Sequence, residues 1–304
     1  MYEYDIVVIG AGPAGLNAAL YALRGGKSVL VIESNMVGGQ IANSPKLENF
    51  PTIKEIPGAD FAIQFMEQVE SWGGIIEYDR VTSVSNAFDR FVVSTECSEY
   101  CAKAVIVATG VQHKHINVPG EKELLGKGVY YCALCDGPLF AGKEVAVIGD
   151  GNTAMQYALA LTNMCANVYL LTWMDKFYGD KALENAVRKH DRIIHVPNVS
   201  VTGFVGGNEL DAIVYADSET GAENDLVVPG VFVAIGQVPN NCMFEHLARL
   251  DRQGYFIANE DMSTDTPGLF VAGDCRAKSV RQVATAIADG AIAAVSACKY
   301  IDSM

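Results

Sequence analysis

The chain has 304 residues, half of them hydrophobic, and a formal net charge of −14 at pH 7. That charge argues against nucleic acid or an anionic membrane as the main partner, because both would be repelled. The length suits two domains of ordinary size. No uninterrupted apolar run reaches the roughly 18 residues of a membrane span, and the acidic N-terminus does not resemble a signal peptide, so we expect a cytoplasmic protein.

The first predicted unit is a strand, a glycine-rich turn, a helix and a returning strand. Residues 5–10 are an apolar run typical of a buried parallel strand, and residues 16–24 have the pattern of a helix. Residues 28–33 return as a strand that ends in an acid. This order is the βαβ unit that carries a dinucleotide fingerprint.

Three glycines and one acid carry the chemistry of this unit. Gly10 makes the tight turn, Gly12 lets the backbone approach a pyrophosphate, and Gly15 lets helix and strand pack closely. The helix N-terminus offers free N–H groups and a partial positive charge. Glu33 lies 23 residues after Gly10, where its carboxylate can accept hydrogen bonds from a ribose diol.

The same design recurs in the second half of the chain, and we take this internal duplication as the main architectural signal. A buried strand at residues 103–110 ends the first unit, and residues 231–236 are its counterpart in the second. The repeated strand, turn, helix and returning strand lie at residues 144–148, 149–154, 155–164 and 167–171.

The C-terminal segment contains Gly268-Leu269-Phe270-Val271-Ala272-Gly273-Asp274 and then a helix pattern at about residues 281–300. We place this segment on the first domain. The predicted fold is therefore α/β, with two Rossmann-like nucleotide-binding domains, the second inserted into the first. The expected domains are residues 1–113 with 244–304, and residues 114–243, joined by two crossings that suit a hinge.

Two cysteines stand two residues apart in Cys132-Ala133-Leu134-Cys135-Asp136-Gly137, just before the second fingerprint. This spacing lowers a thiol pKa and lets the pair open and close a disulfide. A zinc site would need a second ligand pair of suitable spacing, which the sequence lacks, so we expect no metal. The position of the pair between two nucleotide folds favours a redox dithiol.

Taken together, these motifs make the chain resemble the low-molecular-weight thioredoxin reductases nearly from end to end. Further matches are Gly38-Gly39-Gln40-Ile41, Glu48-Asn49-Phe50-Pro51, Ala108-Thr109-Gly110, Gly273-Asp274 and Arg281-Gln282-Val283-Ala284-Thr285-Ala286. The resemblance implies FAD as cofactor and a homodimer. The FAD-binding residues that it implies are Gly10, Gly12, Gly15, Glu33, Gln40, Asn49, Thr109, Gly110, Asp274, Gln282 and Val283.

The resemblance also implies roles for the dithiol residues. Cys135 would face the flavin, and Cys132 would attack the disulfide of a thioredoxin-like protein. Asp136 would be the acid–base group that passes a proton as the thiolate leaves.

One segment departs from the family pattern. Thr172 stands 23 residues after Gly149, where Glu33 stands in the first unit, and residues 172–178 are Thr-Trp-Met-Asp-Lys-Phe-Tyr. NADPH-linked relatives carry His-Arg-Arg and a further Arg there, and arginine binds the 2′-phosphate of NADP. Lys176 and Lys181 are nearby, but we interpret both as ordinary solvated charges. Asp150 adds a negative charge in the second turn.

The lost arginines resemble the subset of this family that is reduced by ferredoxin, and we expect ferredoxin as donor. Its docking would need basic residues despite the overall charge. Two clusters are candidates, Arg276 with Lys278 and Arg281, and Arg188 with Lys189 and Arg192. Two alternatives remain: a reductase that uses NADH or NADPH through an atypical site, and a flavin and dithiol redox sensor without turnover.

Overall fold

The computed structural model describes residues 2–44, 47–87 and 90–304. The chain divides into two compact units, residues 1–112 with 238–304 (unit 1) and residues 113–237 (unit 2). The second crossing therefore precedes residue 238, whereas the sequence analysis placed it after residue 243. The difference has a physical cause: Phe244 is fully buried and belongs to the same core cluster as Val7 and Val105 of unit 1.

Strands and helices alternate at the start of each unit, and a run of consecutive strands follows in both. Among the described residues the strands are β1 (Tyr2–Ile9), β2 (Val29–Glu33), β3 (Ile75–Tyr78), β4 (Val81–Ala87), β5 (Arg90–Thr95), β6 (Glu99–Val107), β7 (Val111–His113), β8 (Val129–Tyr130), β9 (Val145–Ile148), β10 (Val168–Leu171), β11 (Ile193–Val196), β12 (Val199–Gly206), β13 (Leu210–Asp217), β14 (Glu223–Leu226), β15 (Val231–Val233), β16 (Gln237–Pro239) and β17 (Leu269–Val271). The α-helices are α1 (Pro13–Arg24), α2 (Gly58–Ser71), α3 (Ala133–Asp136), α4 (Asn152–Leu161), α5 (Lys181–Arg188) and α6 (Val283–Asp302).

The main sheet of unit 1 has the strand order β3-β2-β1-β6-β5-β4. β1, β2 and β3 are parallel, β6 joins β1 in parallel, and β4 and β5 form an antiparallel hairpin on the other edge of β6. β17 returns from the C-terminal segment and pairs with the end of β6. The second half of β1 is buried throughout, as expected for a parallel strand covered on both faces.

Unit 2 repeats the parallel arrangement with the order β11-β10-β9-β15-β8, and every pair in it is parallel. An antiparallel sheet of β12, β13 and β14 follows. Because the strands of the main sheet are parallel, their carboxyl ends meet at one edge, where an open α/β sheet places its ligands. The chain segments after β8, β9, β10 and β15 therefore share this edge.

Helix α6 combines unusual length with apolar composition. Its 20 residues and a mean hydropathy of 1.2 would by themselves allow it to cross a membrane. It packs within unit 1 instead: Asn17 of α1 donates to the Ile287 carbonyl at 2.8 Å, and Gly290 meets the Ala14 backbone so closely that a Cβ would lie 2.1 Å from its oxygen. α6 is thus a core helix of unit 1.

Candidate functional site

The first glycine turn has the shape of a phosphate cradle. Gly10 has a φ of +104°, and a Cβ there would lie 2.5 Å from the Ala108 oxygen. A Cβ on Gly15 would lie 1.8 Å from the Gly10 oxygen, so this position requires glycine. Gly12, the N-cap of α1, has no heavy atom within 4 Å of its Cβ position. The N-terminus of α1 therefore faces open space, as an anion site requires.

Glu33 closes the end of β2 next to this turn. Its carboxylate is buried and accepts hydrogen bonds from the backbone N–H of Ala11 at 2.7 Å and of Asn35 at 2.8 Å. These bonds orient the carboxylate and leave a lone pair on each oxygen for a diol.

Of the residues predicted from the flavin-contacting loops, Asn49 contacts the start of α6 and Gln40 contacts the start of β7. The Asn49 amide donates to the Gln282 side-chain oxygen at 3.1 Å. Gln282 is the N-cap of α6 and forms a capping box with Thr285, and Val283 begins the helix. The Gln40 amide donates to the Val111 carbonyl.

The turn of Thr109 and Gly110 is joined to the turn of Asp274 by a residue that the sequence analysis did not identify. Asn241 is fully buried; its amide donates to the carbonyls of Gly254 and Cys275 at 2.8 Å, and its oxygen accepts from the Thr109 hydroxyl at 3.2 Å. It thereby ties the turn after β6 to the turn that carries Asp274. No sequence signal announces this contact, because Asn241 and Thr109 are far apart in the chain.

Asp274 belongs to a cluster of buried and partly buried charges. Lys278 bridges Asp274 at 3.2 Å and Asp289 at 3.0 Å, and Arg276 forms a two-pronged pair with Asp289 at 2.9 and 2.8 Å. Burial raises the pKa of Asp274 against the opposing charges of Lys278 and Arg281. Burial would also raise the pKa of Asp289, but hydrogen bonds from Arg276 and Lys278 outweigh it and lower that pKa.

The two cysteines of unit 2 form a disulfide at the start of a short helix. Cys132 is the N-cap of α3, and its sulfur accepts from the Cys135 N–H at 3.2 Å. Both cysteines are partly exposed, and Leu134 between them is 53% exposed. Within the described residues, no group of three or more His, Cys, Asp or Glu side chains is placed to hold a metal ion.

Asp136 differs from the cysteines because it is buried. Its Oδ1 has no hydrogen-bond partner among the described residues, and burial raises its pKa to about 7. The pKa values of Tyr130 and Tyr157 are raised by burial and also by the charge of Asp136. Near neutral pH this carboxyl is therefore poised to give or take a proton.

The second glycine turn has the backbone of the first. Gly149 has a φ of +142°, and a Cβ there would lie 2.5 Å from the Ala234 oxygen, just as Gly10 meets Ala108. Gly151 is the N-cap of α4. The position of Gly15 is taken by Ala154, which is fully buried.

The segment after β10 holds the position where an acid would bind NAD or arginines would bind NADP. Here its side chains contact other residues of unit 2 instead. The buried Thr172 hydroxyl donates to the Met174 carbonyl at 2.6 Å and lies 2.8 Å from His195 Nε2. His195 thus contacts the residue that stands at the position equivalent to Glu33. Trp173 is 63% exposed, and it carries no charge for a phosphate.

The basic residues considered for docking are largely paired. Arg276 and Lys278 are held by Asp289, and Arg188 pairs with Glu184 at 3.1 Å and with Asp175 at 3.3 Å. Neither cluster therefore presents its full positive charge to a partner.

Comparison with known proteins places these features in a family. Residues 4–290 match the family model described as pyridine nucleotide-disulphide oxidoreductase. The chain is 37% identical over 302 residues to a thioredoxin reductase of Bacillus subtilis, covering 99% of this chain and 96% of the relative. It superposes on thioredoxin reductase from Streptococcus pyogenes with a TM-score of 0.95, 35% identity and 99% of each chain covered. A ferredoxin-flavin thioredoxin reductase from Clostridium acetobutylicum matches with a TM-score of 0.55 and 29% identity, over 100% of this chain and 99% of that one.

Proposed function

Because this chain belongs to the pyridine nucleotide-disulphide oxidoreductases, as a thioredoxin reductase of the low-molecular-weight type, we propose a specific electron path for it. Electrons from a ferredoxin pass through FAD and the Cys132–Cys135 pair to the disulfide of a thioredoxin-like protein. The enzyme works in the cytoplasm as a homodimer, as the resemblance to its relatives implies.

The residues of unit 1 fit FAD. The open space at Gly12 before α1 suits a pyrophosphate, and the oriented Glu33 carboxylate suits the ribose diol. Asp274 is assigned to the ribityl chain, and the ring is assigned to the surroundings of Gln40, Asn49, Thr109, Gly110, Gln282 and Val283. When bound, the flavin supplies a carrier that accepts electrons singly and delivers them in pairs.

The dithiol of unit 2 performs the exchange with the protein substrate. Two electrons and two protons convert the Cys132–Cys135 disulfide into two thiols, and we assign Cys135 to the flavin side. The Cys132 thiol loses its proton to solvent, and the thiolate attacks the partner's disulfide. This forms a mixed disulfide and releases one partner thiolate, which Asp136 protonates before it regains a proton from solvent. Cys135 then attacks Cys132, releases the second partner thiol and restores the enzyme disulfide.

The segment after β10 carries the proposal that the donor is not NADPH. Trp173 and Met174 stand where a guanidinium would bind the 2′-phosphate. The Thr172 hydroxyl donates to the Met174 carbonyl and contacts His195. Low-potential ferredoxins lie at about −400 mV. Thioredoxin lies at about −270 mV, so two electrons crossing this gap release about 6 kcal/mol.

An anaerobic titration of the flavin tests the donor. We expect a reduced low-potential ferredoxin to bleach the oxidised flavin within seconds and equimolar NADPH or NADH to leave it unchanged. Rapid stoichiometric bleaching by either nucleotide would refute the ferredoxin proposal and support the atypical nucleotide site.

A cysteine trap tests the substrate. Cys135→Ser should accumulate a mixed disulfide between Cys132 and oxidised thioredoxin, because the resolving thiol is gone. The Cys132→Ser variant is the matched control and should trap far less. If Cys135→Ser captures no thioredoxin, the protein is not a reductase of that substrate, and the sensor without turnover becomes the better hypothesis.

A further inference from the structure

The loop of residues 172–178 (the β10 loop) lies at the same sheet edge as the dithiol. The loop follows β10, and Cys132 follows β8, and both strands are parallel members of the order β10-β9-β15-β8. Three strand spacings of about 4.8 Å separate β10 from β8, which is about 14 Å. Any protein that brings a disulfide to Cys132 approaches this edge.

The β10 loop is held in place by its own contacts. The Asp175 N–H donates to the Asn198 side chain at 3.1 Å, and Arg188 donates to the Asp175 carbonyl at 2.8 Å. The Tyr178 N–H donates to the Asp150 carbonyl at 2.8 Å. Phe177 is buried under the Arg188 guanidinium, which lies 5.1 Å from the ring centroid. The loop backbone is thus preorganised.

This pinned loop nevertheless presents large apolar side chains to solvent. Trp173, Met174 and Tyr178 are 63%, 45% and 53% exposed, and the Tyr178 hydroxyl lies 3.6 Å from the Met174 sulfur. Lys176 lies over the Tyr178 ring at 5.3 Å. Rigid exposed Trp, Tyr and Met side chains are the types that anchor protein interfaces, and exposing them serves no folding purpose.

The charge around the loop is unlike that of the chain as a whole. Residues 172–192 contain five Lys or Arg and four Asp or Glu, a net charge of +1, within a chain of −14. An acidic protein would therefore meet less repulsion at this surface than over the remainder of the chain, which carries −15.

We propose that Trp173, Met174 and Tyr178 form a docking surface for the protein disulfide substrate. This rests on the proposed function, and it extends that function from the dithiol to a second contact on the same edge. The occupant is a small globular protein with an exposed disulfide and an apolar surface beside it. A domain of about 100 residues has a radius of gyration of about 13 Å, so it covers both the dithiol and the loop.

The position of the loop favours the protein substrate over the other occupants. A dinucleotide would need the phosphate-binding groups that the loop lacks. A ferredoxin has no need to reach Cys132, whereas the disulfide substrate must lie at this edge to react.

The test compares a loop variant with a control of the same residue type elsewhere. The loop variant is Trp173→Ala with Met174→Ser and Tyr178→Ser. Trp72→Ala is the control, since Trp72 is 52% exposed in unit 1. Each holoenzyme is reduced anaerobically with dithionite, and its reoxidation is followed in single turnover against the concentration of a purified oxidised thioredoxin. The small disulfide 5,5′-dithiobis(2-nitrobenzoate) is the second acceptor.

For the loop variant, we expect the half-saturating thioredoxin concentration to rise at least tenfold, with the limiting rate and the rate with the small disulfide unchanged. The control should match the wild type in both. An unchanged half-saturating concentration overturns the proposal. The proposal is also overturned if the loop variant has a changed half-saturating concentration of reduced ferredoxin, as electron donor, and an unchanged one of thioredoxin. If the wild type reduces the small disulfide but no thioredoxin, the proposed function and this surface fall together.

Discussion

The two glycine turns of this chain share a backbone and differ in what surrounds it. In each, the first glycine abuts the carbonyl of a neighbouring strand end, Ala108 for Gly10 and Ala234 for Gly149. In each, a later loop donates to the turn, Gly38 to Ala11 and Tyr178 to Asp150, both at 2.8 Å. The frame of a nucleotide site is thus conserved within the chain independently of its ligand groups.

The difference lies in the side chains at the matching positions. The first turn has the oriented carboxylate of Glu33, whereas the second has Thr172, whose hydroxyl is used by Met174 and His195. Gly38, without a side chain, corresponds to Tyr178. The second copy can therefore keep the backbone frame of the first without its ligand-binding side chains, because backbone turn and side-chain recognition are separate requirements.

Glycine-to-valine exchange at the two N-caps should give the largest functional difference between the turns. Gly12 and Gly151 both have extended backbone that valine can adopt. We expect Gly12→Val to weaken FAD binding more than 100-fold, because the side chain fills the space before α1, with little change in the melting temperature of the apoprotein. Gly151→Val should leave both FAD affinity and ferredoxin-driven turnover unchanged. Equal losses in the two variants would contradict the functional difference between the turns.

Asp136→Asn probes the chemistry beside the disulfide of unit 2. We expect turnover at pH 7 to fall about 100-fold, since general acid catalysis typically contributes that much or more. The wild-type rate should decline as pH rises through about 7, where Asp136 loses its proton, and the variant should lack this dependence.

The same carboxyl has a consequence for stability. Burial raises the pKa of Asp136 from 3.8 in the unfolded chain to about 7 in the folded protein. Its contribution to folding stability is therefore fully present below pH 3.8 and is lost as pH rises through about 7. Between pH 5 and 8 the melting temperature of Asp136→Asn should therefore fall less than that of the wild type. If the melting temperatures of the two proteins fell equally between pH 5 and 8, this would contradict the raised pKa.

Grafting arginines onto the second turn would show whether its frame still accepts a nucleotide. In Trp173→Arg with Met174→Arg, we expect NADPH to reduce the flavin at least ten times faster than in the wild type, as measured by anaerobic stopped-flow absorbance. One charge-assisted phosphate contact of about 1.4 kcal/mol accounts for tenfold. The matched lysine pair should gain less, because an ammonium lacks the guanidinium fork. No gain from arginine would mean that more than these side chains was lost.

Lys278→Met tests the ion pair that Lys278 forms with Asp274 in the proposed FAD site, and it should have the smallest effect. Without the ammonium the pKa of Asp274 rises further, since burial and Asp289 act against ionisation and Arg281 alone opposes them. We expect FAD affinity to drop a few-fold at pH 6 and less at pH 8, measured by flavin fluorescence on the apoprotein. Arg276→Met is the control, because it breaks the pair with Asp289 but leaves Lys278 on Asp274. A pH-independent affinity in Lys278→Met would refute this role.

Local sequence patterns predicted the repeated elements well and their ends less well. The second repeat helix was expected at residues 155–164, and α4 spans Asn152–Leu161. It starts earlier because the polar residues after Gly151 already form its first turn, although they lack the apolar spacing by which a helix is recognised. In contrast, the C-terminal helix pattern at about 281–300 matches α6 closely, since its apolar stripe runs along its whole length.

The support of the candidate site was less accessible to sequence reasoning. Lys278 follows Asp274 by four residues, but this spacing predicts an ion pair only on a helix, and the backbone is extended at Arg276. Asn241 gave no signal either, because its partners Thr109 and Cys275 come from distant parts of the chain.

By itself, the sequence determined the α/β class, the duplicated turns and the dithiol, because glycine geometry, strand hydrophobicity and cysteine spacing are local properties. The tertiary structure decided the burial that raises the pKa of Asp136 and the solvent exposure of Trp173. Both depend on how distant segments pack: a carboxyl is deprived of water, or an indole left in it, by neighbours that no short stretch of sequence contains.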